Sequence, residues 1–144
     1  MAVSVQVVMD CADPQAIGEF WTEMLGYQVQ PPPPGFDSWP AFLTAQKIPE
    51  DQWNGFNAIV DPEGKGPRIF FQRVPEGKTV KNRVHLDLNV GGGHGAPEDE
   101  RKRRIAEAAE KVIRLGGTQL REMNERGEYW RVMQDPEGNE FCLQ

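Results

Sequence analysis

The sequence is short of several things, and each shortage removes a class of function. It has only two cysteines, Cys11 and Cys142, far apart and without metal-motif spacing. That excludes a zinc ribbon or a disulfide framework and reads as two reduced thiols. Basic residues are outnumbered, sixteen against twenty-two acidic, for a formal net charge of -6. A protein that holds nucleic acid non-specifically needs a basic footprint, so no nucleic-acid partner is expected. No apolar run approaches the ~18 residues of a membrane span, so no membrane partner is expected. Met1-Ala2-Val3-Ser4 lacks the basic start and the apolar stretch of an export signal. The expectation is a cytoplasmic protein. At 144 residues, 38% hydrophobic and 26% charged, the chain has the length and balance of one globular domain.

What is present is a phrase said twice. Asp61-Pro62-Glu63-Gly64 precedes the apolar run Ile69-Phe70-Phe71, and Asp135-Pro136-Glu137-Gly138 precedes Phe141-Cys142-Leu143. Upstream of each comes the same order: an alternating strand, a helix ending in glycine, then more strands. Two copies are too few for a solenoid. They predict a single domain, 1–144, of two pseudo-repeats, 3–75 and 83–144, facing each other around a cleft.

In the first repeat, Val3 to Ala12 reads as a strand, with Val7, Met9 and Cys11 on one face and Gln6, Val8 and Asp10 on the other. Asp13-Pro14 caps and opens a helix whose apolar stripe is Ile17, Phe20, Trp21, Met24 and Leu25, and Gly26 ends it. A short strand follows, over Tyr27 to Gln30. The stretch from Gly35 to Asn54 is irregular. In it Phe42 to Gln46 reads as a further strand, and its aromatics either patch the core or roof a ligand. Phe56 to Val60 and Pro67 to Val74 are strands, the latter with Phe71 on one face and Phe70 and Gln72 on the other.

In the second repeat, Arg83 to Val90 alternates cleanly. Val84, Leu86, Leu88 and Val90 form one face, and His85, Asp87 and Asn89 the other. Pro97 opens a helix with Glu98, Asp99 and Glu100 in its first turn and Ile105, Ala108, Ala109, Val112 and Leu115 as its buried face, stopped by Gly116-Gly117. Its charged run to Arg104 reads as a solvated face. Strands are expected over Thr118 to Met123, Tyr129 to Gln134 and Glu140 to Leu143. Alternation alone does not assign the face shared by Trp130 and Val132. The fold class is α+β: two βαβββ modules forming one curved sheet cup with helices outside.

At this point the chain resembles the vicinal-oxygen-chelate superfamily, the glyoxalase and bleomycin-resistance group. The resemblance rests on Asp10-Cys11-Ala12-Asp13-Pro14, Phe20-Trp21, Leu25-Gly26-Tyr27 and the segment Phe71 to Lys78. It also rests on Asn82 to Leu88 and Asp135 to Leu143, so it spans essentially the whole chain. It implies the fold but not an activity, because members include lyases, dioxygenases, epimerases and binding proteins. It implies a homodimer. Metal-bearing members place four ligands, usually two His and two Glu. Here those positions fall on Gln6, Gln72, His85 and Cys142, so one of the four carries the usual residue.

From the residues themselves, the polar face offers His85, Asp87 and Glu140 as candidates for proton chemistry. Gln6, Asp10, Gln72, Asn89 and Cys142 are candidates for lining a small-molecule site, and Trp39 and Trp53 for roofing it. No cofactor is expected. A divalent metal, if present, would use His85, Glu140 and Gln72. Without a metal, His85 is either satisfied by neighbours, in direct contact with a ligand, or a general acid or base oriented by a carboxylate. Asp10, across strands, is expected to be that carboxylate rather than Asp87, two residues away. Cys142 reads as a small hydrophobe. The functions open at this stage are a binding protein with a degraded metal site and unassigned catalysis, a metal-dependent lyase or dioxygenase, and an antibiotic-sequestering protein.

Overall fold

The computed structural model describes residues 1–144 and divides the chain into two compact units, Met1–Gly77 and Lys78–Gln144. Each unit holds one four-stranded mixed sheet and a long helix.

In the first unit the strands are β1 (Val7–Cys11), β2 (Gln28–Val29), β3 (Phe56–Val60) and β4 (Ile69–Arg73), in the order β1-β4-β3-β2. β1 runs parallel to β4 and the other pairs are antiparallel. A parallel neighbour cannot be reached by a tight turn, and the chain between β1 and β2 supplies α1 (Pro14–Leu25) as the crossover. Asp13 caps α1 by accepting from the Ala16 N–H at 3.1 Å. Gly26 closes it in the left-handed region, φ 69°. Ile17, Phe20 and Trp21 of α1 are buried with Ile59, Ile69, Phe71 and Cys11 of the sheet. Each large side chain so buried contributes ~1.5–3 kcal/mol.

The irregular stretch differs from expectation. Phe42 to Gln46 is not a strand: α2 (Trp39–Ala45) forms there, followed by a 3-10 turn over Glu50–Gly55. Ser38 explains the helix, since its hydroxyl accepts from the Ala41 N–H at 3.2 Å and Pro40 lies in the first turn. Val3 to Gln6 lies outside β1, and Val3 and Val5 are exposed.

The second unit repeats the topology. β5 (Asp87–Leu88), β6 (Thr118–Glu125), β7 (Glu128–Gln134) and β8 (Glu140–Leu143) are ordered β5-β8-β7-β6, with β5 parallel to β8. α3 (Glu98–Arg114) is the crossover, and Ile105, Ala109 and Val112 are its buried residues. Pro97 sits at the cap of α3 rather than its first position. The charged run is a solvated face laced by Glu98–Lys102, Glu100–Arg104 and Arg103–Glu107 pairs. The cleanest alternation in the sequence makes the shortest strand. Of Arg83 to Val90 only Asp87–Leu88 pairs as strand, and Val84 is 81% exposed. Only Cys142 and Leu143 of β8 pair with β5; three further bonds, Cys142 N–H to Leu86 O, Gln144 N–H to Leu88 O and Gly91 N–H to Gln144 O, each 2.9 Å, extend the contact.

The repeated phrase is a structural device. In both copies the Asp carboxylate accepts from the N–H two residues on, Glu63 at 2.9 Å and Glu137 at 3.0 Å. In both, the glycine N–H returns to the Asp carbonyl, at 3.0 and 2.9 Å, with positive φ at Gly64 and Gly138. These are Asx turns that reverse the chain into β4 and β8.

Candidate functional site

The register of the second sheet decides which side chains share its open face, the one turned away from α3. Asp87 pairs with Cys142, Cys142 with Val132, and Val132 with Arg121. Directly paired residues project to the same side, so these four form one row across the sheet. Trp130, paired with Met123, stands in the adjacent row on the same face as Val132. A β-bulge between Gln119 and Arg121 breaks the alternation of β6. Gln119 therefore turns to the helix side, where its amide oxygen accepts from Arg131 at 3.2 Å, while Arg121 keeps the open face.

A cavity of about 630 Å³ lies over this face and is lined entirely by the second unit. Of the sequence candidates, His85, Asp87, Asn89, Glu140 and Cys142 line it. His85 Nδ1 lies 2.7 Å from Asp87 Oδ1. Asp87, not Asp10, is thus the carboxylate on His85. The reason is local: the chain at His85 has left regular strand geometry, so residues two apart can meet. With Asp87 ionised, Nδ1 carries the proton and Nε2 presents its lone pair. The two side chains are 43% and 41% exposed, which leaves them open to a ligand.

Glu140 has a different part. Its carboxylate accepts from the Asn82 N–H at 3.0 Å and pairs with Lys78 at 3.2 Å. Burial opposes its charge, but the Asn82 and Glu140 backbone N–H groups and the Lys78 ammonium hold the carboxyl below its ordinary value. It anchors the segment leading to His85. Cys142 is buried, and burial first, then the Asp87 carboxylate, push its thiol up to about 11. It is therefore a neutral thiol near pH 7 and a poor nucleophile. Asn89 accepts from the Gln144 amide at 2.9 Å.

The remaining candidates belong to the first unit. Gln6 accepts from Arg68 at 2.9 Å, and Gln72 donates to Asp10 at 3.0 Å. Trp39 and Trp53 spend their indole N–H groups on the Gln30 and Ile48 carbonyls, at 2.7 and 2.9 Å. Sequence reasoning missed Arg121, Lys81 and Arg101 as cavity residues. The bulge that assigns Arg121 its face has no signal in the sequence pattern. Arg101 keeps its buried Nε without a hydrogen-bond partner and stands 3.8 Å from Glu128.

Three of these residues could in principle meet a metal ion. His85, Asp87 and Cys142 offer ligand atoms within 4.8 Å of one another. The set is incomplete and mixed: one imidazole already bonded to the carboxylate, and a thiol held neutral. Glu140 is engaged elsewhere and Gln72 serves Asp10. The fit to a four-ligand divalent site is poor.

The glyoxalase-like domain profile matches residues 6–144. The chain belongs to the glyoxalase-like domain family. Solved structures similar in fold include a possible glyoxalase from Bacillus cereus, 12% identical over 100% of this chain and 99% of that one, TM-score 0.61. Another is a glyoxalase/bleomycin resistance protein/dioxygenase family enzyme from Burkholderia phytofirmans, 15% identical over 96% and 94%, TM-score 0.60. A third is a mutant of the fosfomycin resistance protein FosX from Listeria monocytogenes, complexed with manganese(II) and a dihydroxypropylphosphonic acid. It is 11% identical over 100% and 90% of the two chains, TM-score 0.61. No functionally curated protein matches the chain in sequence. At these identities the likeness is one of fold. Against the superfamily's four-ligand pattern, the metal site of this glyoxalase-like protein is degraded.

Proposed function

We propose that this glyoxalase-like protein binds a small organic molecule against the open face of its second sheet, with His85 as the group that meets the ligand. The observation that carries this is the His85–Asp87 pair at 2.7 Å on the wall of a cavity large enough for such a molecule. The pair has the form of a general base: a carboxylate holding one imidazole nitrogen so that the other can accept a proton. Where a ligand presents an acidic C–H or O–H to Nε2, His85 takes that proton and Asp87 steadies the imidazolium. Cys142 supplies a small neutral surface below the pair. The single domain of two pseudo-repeats, which rests on length and the repeated phrase, and a homodimer, which rests on resemblance, belong to the same reading; light scattering giving twice the 16.3 kDa chain mass is the expected outcome for the dimer.

The test is His85→Ala in a calorimetric and thermal-shift screen of small molecules. The variant should melt as the parent does and lose at least about tenfold in affinity for any hit. Unchanged binding and turnover would remove His85 from the site.

A further inference from the structure

The wall of the second-unit cavity carries as many cations as side-chain carboxylates, Lys81, Arg101 and Arg121 against Asp87, Glu128 and Glu140, although the chain as a whole is acidic. Three side-chain carboxylates line it, and each has a hydrogen-bond or ion-pair partner. Asp87 is bonded to His85, Glu140 to Lys78 and the Asn82 N–H, and Glu128 lies 3.8 Å from both Arg101 and His94. Two of the lining cations are not answered. Lys81 makes one long contact, 3.4 Å to the Asn82 carbonyl, and has no carboxylate partner. Arg121 lines the cavity from the row Asp87–Cys142–Val132–Arg121, and its side chain makes neither a hydrogen bond nor an ion pair with the protein. Both cations line the same cavity as that row.

We infer that the cavity takes an organic acid, whose carboxylate is held by Arg121 and Lys81 while its other end lies toward His85. The proposal rests on the small-molecule reading and names its ligand class. A guanidinium offers a planar fork of donors matched to a carboxylate, and a cation with no internal partner gives up no protein contact to bind one. Trp130, half-buried in the neighbouring row, offers an apolar surface on the same cavity wall, which suits an acid with an aromatic or aliphatic body.

The test is a fragment set of matched aromatic and aliphatic carboxylic acids and their primary amides, titrated into the full chain and followed by amide and Trp130 indole N–H shifts. Acids should move the cavity resonances and bind at least about tenfold more tightly than their amides, and Arg121→Gln and Lys81→Gln should each remove most of that preference. Neither substitution breaks an internal ion pair, so both variants should melt near the parent. Amides that bind the cavity as well as the acids, or acids whose affinity survives both substitutions, would overturn the acid site and leave the small-molecule reading standing. Cavity resonances that no fragment moves would overturn both.

Discussion

At the scale of the residue, Glu140 shows how a chemically suggestive side chain can be spent on structure. Its carboxyl is held below the ordinary value, so the sign of its contribution is set. Folding is favoured through Glu140 above the unfolded value of ~4.3, and that stability is lost as pH falls through the lower folded value. Glu140→Gln should cost ~1–2 kcal/mol near neutrality, by loosening Asn82 and Lys78. In urea titrations across the acid range the gap between variant and parent should close as pH falls; a gap independent of pH would deny the carboxylate its part. Cys142 makes a complementary prediction. With its thiol pushed up to about 11 and buried, it should react with iodoacetamide at pH 7 far more slowly in the native protein than in urea. Equal rates would show that the thiol is neither buried nor neutral.

At the scale of the element, the two Asx turns are alike in bonding and differ in burial. Asp135 is 2% exposed and accepts from the Glu137 N–H and from the Asn139 N–H and amide, at 3.0–3.2 Å. Asp61 accepts from Glu63, Lys65 and Gly66 at 2.7–2.9 Å but can be replaced there by water. Asp135→Ala should cost ~2–4 kcal/mol, because it leaves buried donors unpaired, and Asp61→Ala distinctly less. Thermal melts of the two variants compare them directly; equal losses would mean that burial is not what separates the turns. The cap of α1 was legible for the same reason as these turns: Asp13, Pro14 and Gly26 act on backbone groups within a few residues of themselves. Phe42 to Gln46 was misread because its apolar run fits either period, and Ser38, four residues upstream, decides for helix.

At the scale of the whole molecule, the family likeness predicts a fold and leaves the chemistry open. The donor set of His85, Asp87 and Cys142 is incomplete, and two of the resemblance-derived ligand positions, Gln6 and Gln72, are amides bonded to Arg68 and Asp10. Mass spectrometry on untagged protein purified without chelator should therefore find well under one equivalent of any transition metal, and His85→Ala should not change it. Near one equivalent of a single metal, lost in that variant, would return the lyase and dioxygenase readings. No helix of the chain is long and apolar enough to cross a membrane.

The sequence by itself determined the repeat, the helix caps, the turns and the buried stripes of α1 and α3. Each depends on contacts a few residues apart or on a period that composition displays. It also singled out His85 and Asp87, on the polar face of an alternating stretch. Only the tertiary structure decided what they do to each other and who stands beside them. The His85–Asp87 bond forms because regular strand geometry has lapsed at His85, and Arg121 reaches the same face because a bulge resets the alternation of β6. Both are departures from period two, and a periodic reading cannot see the residue at which a period fails.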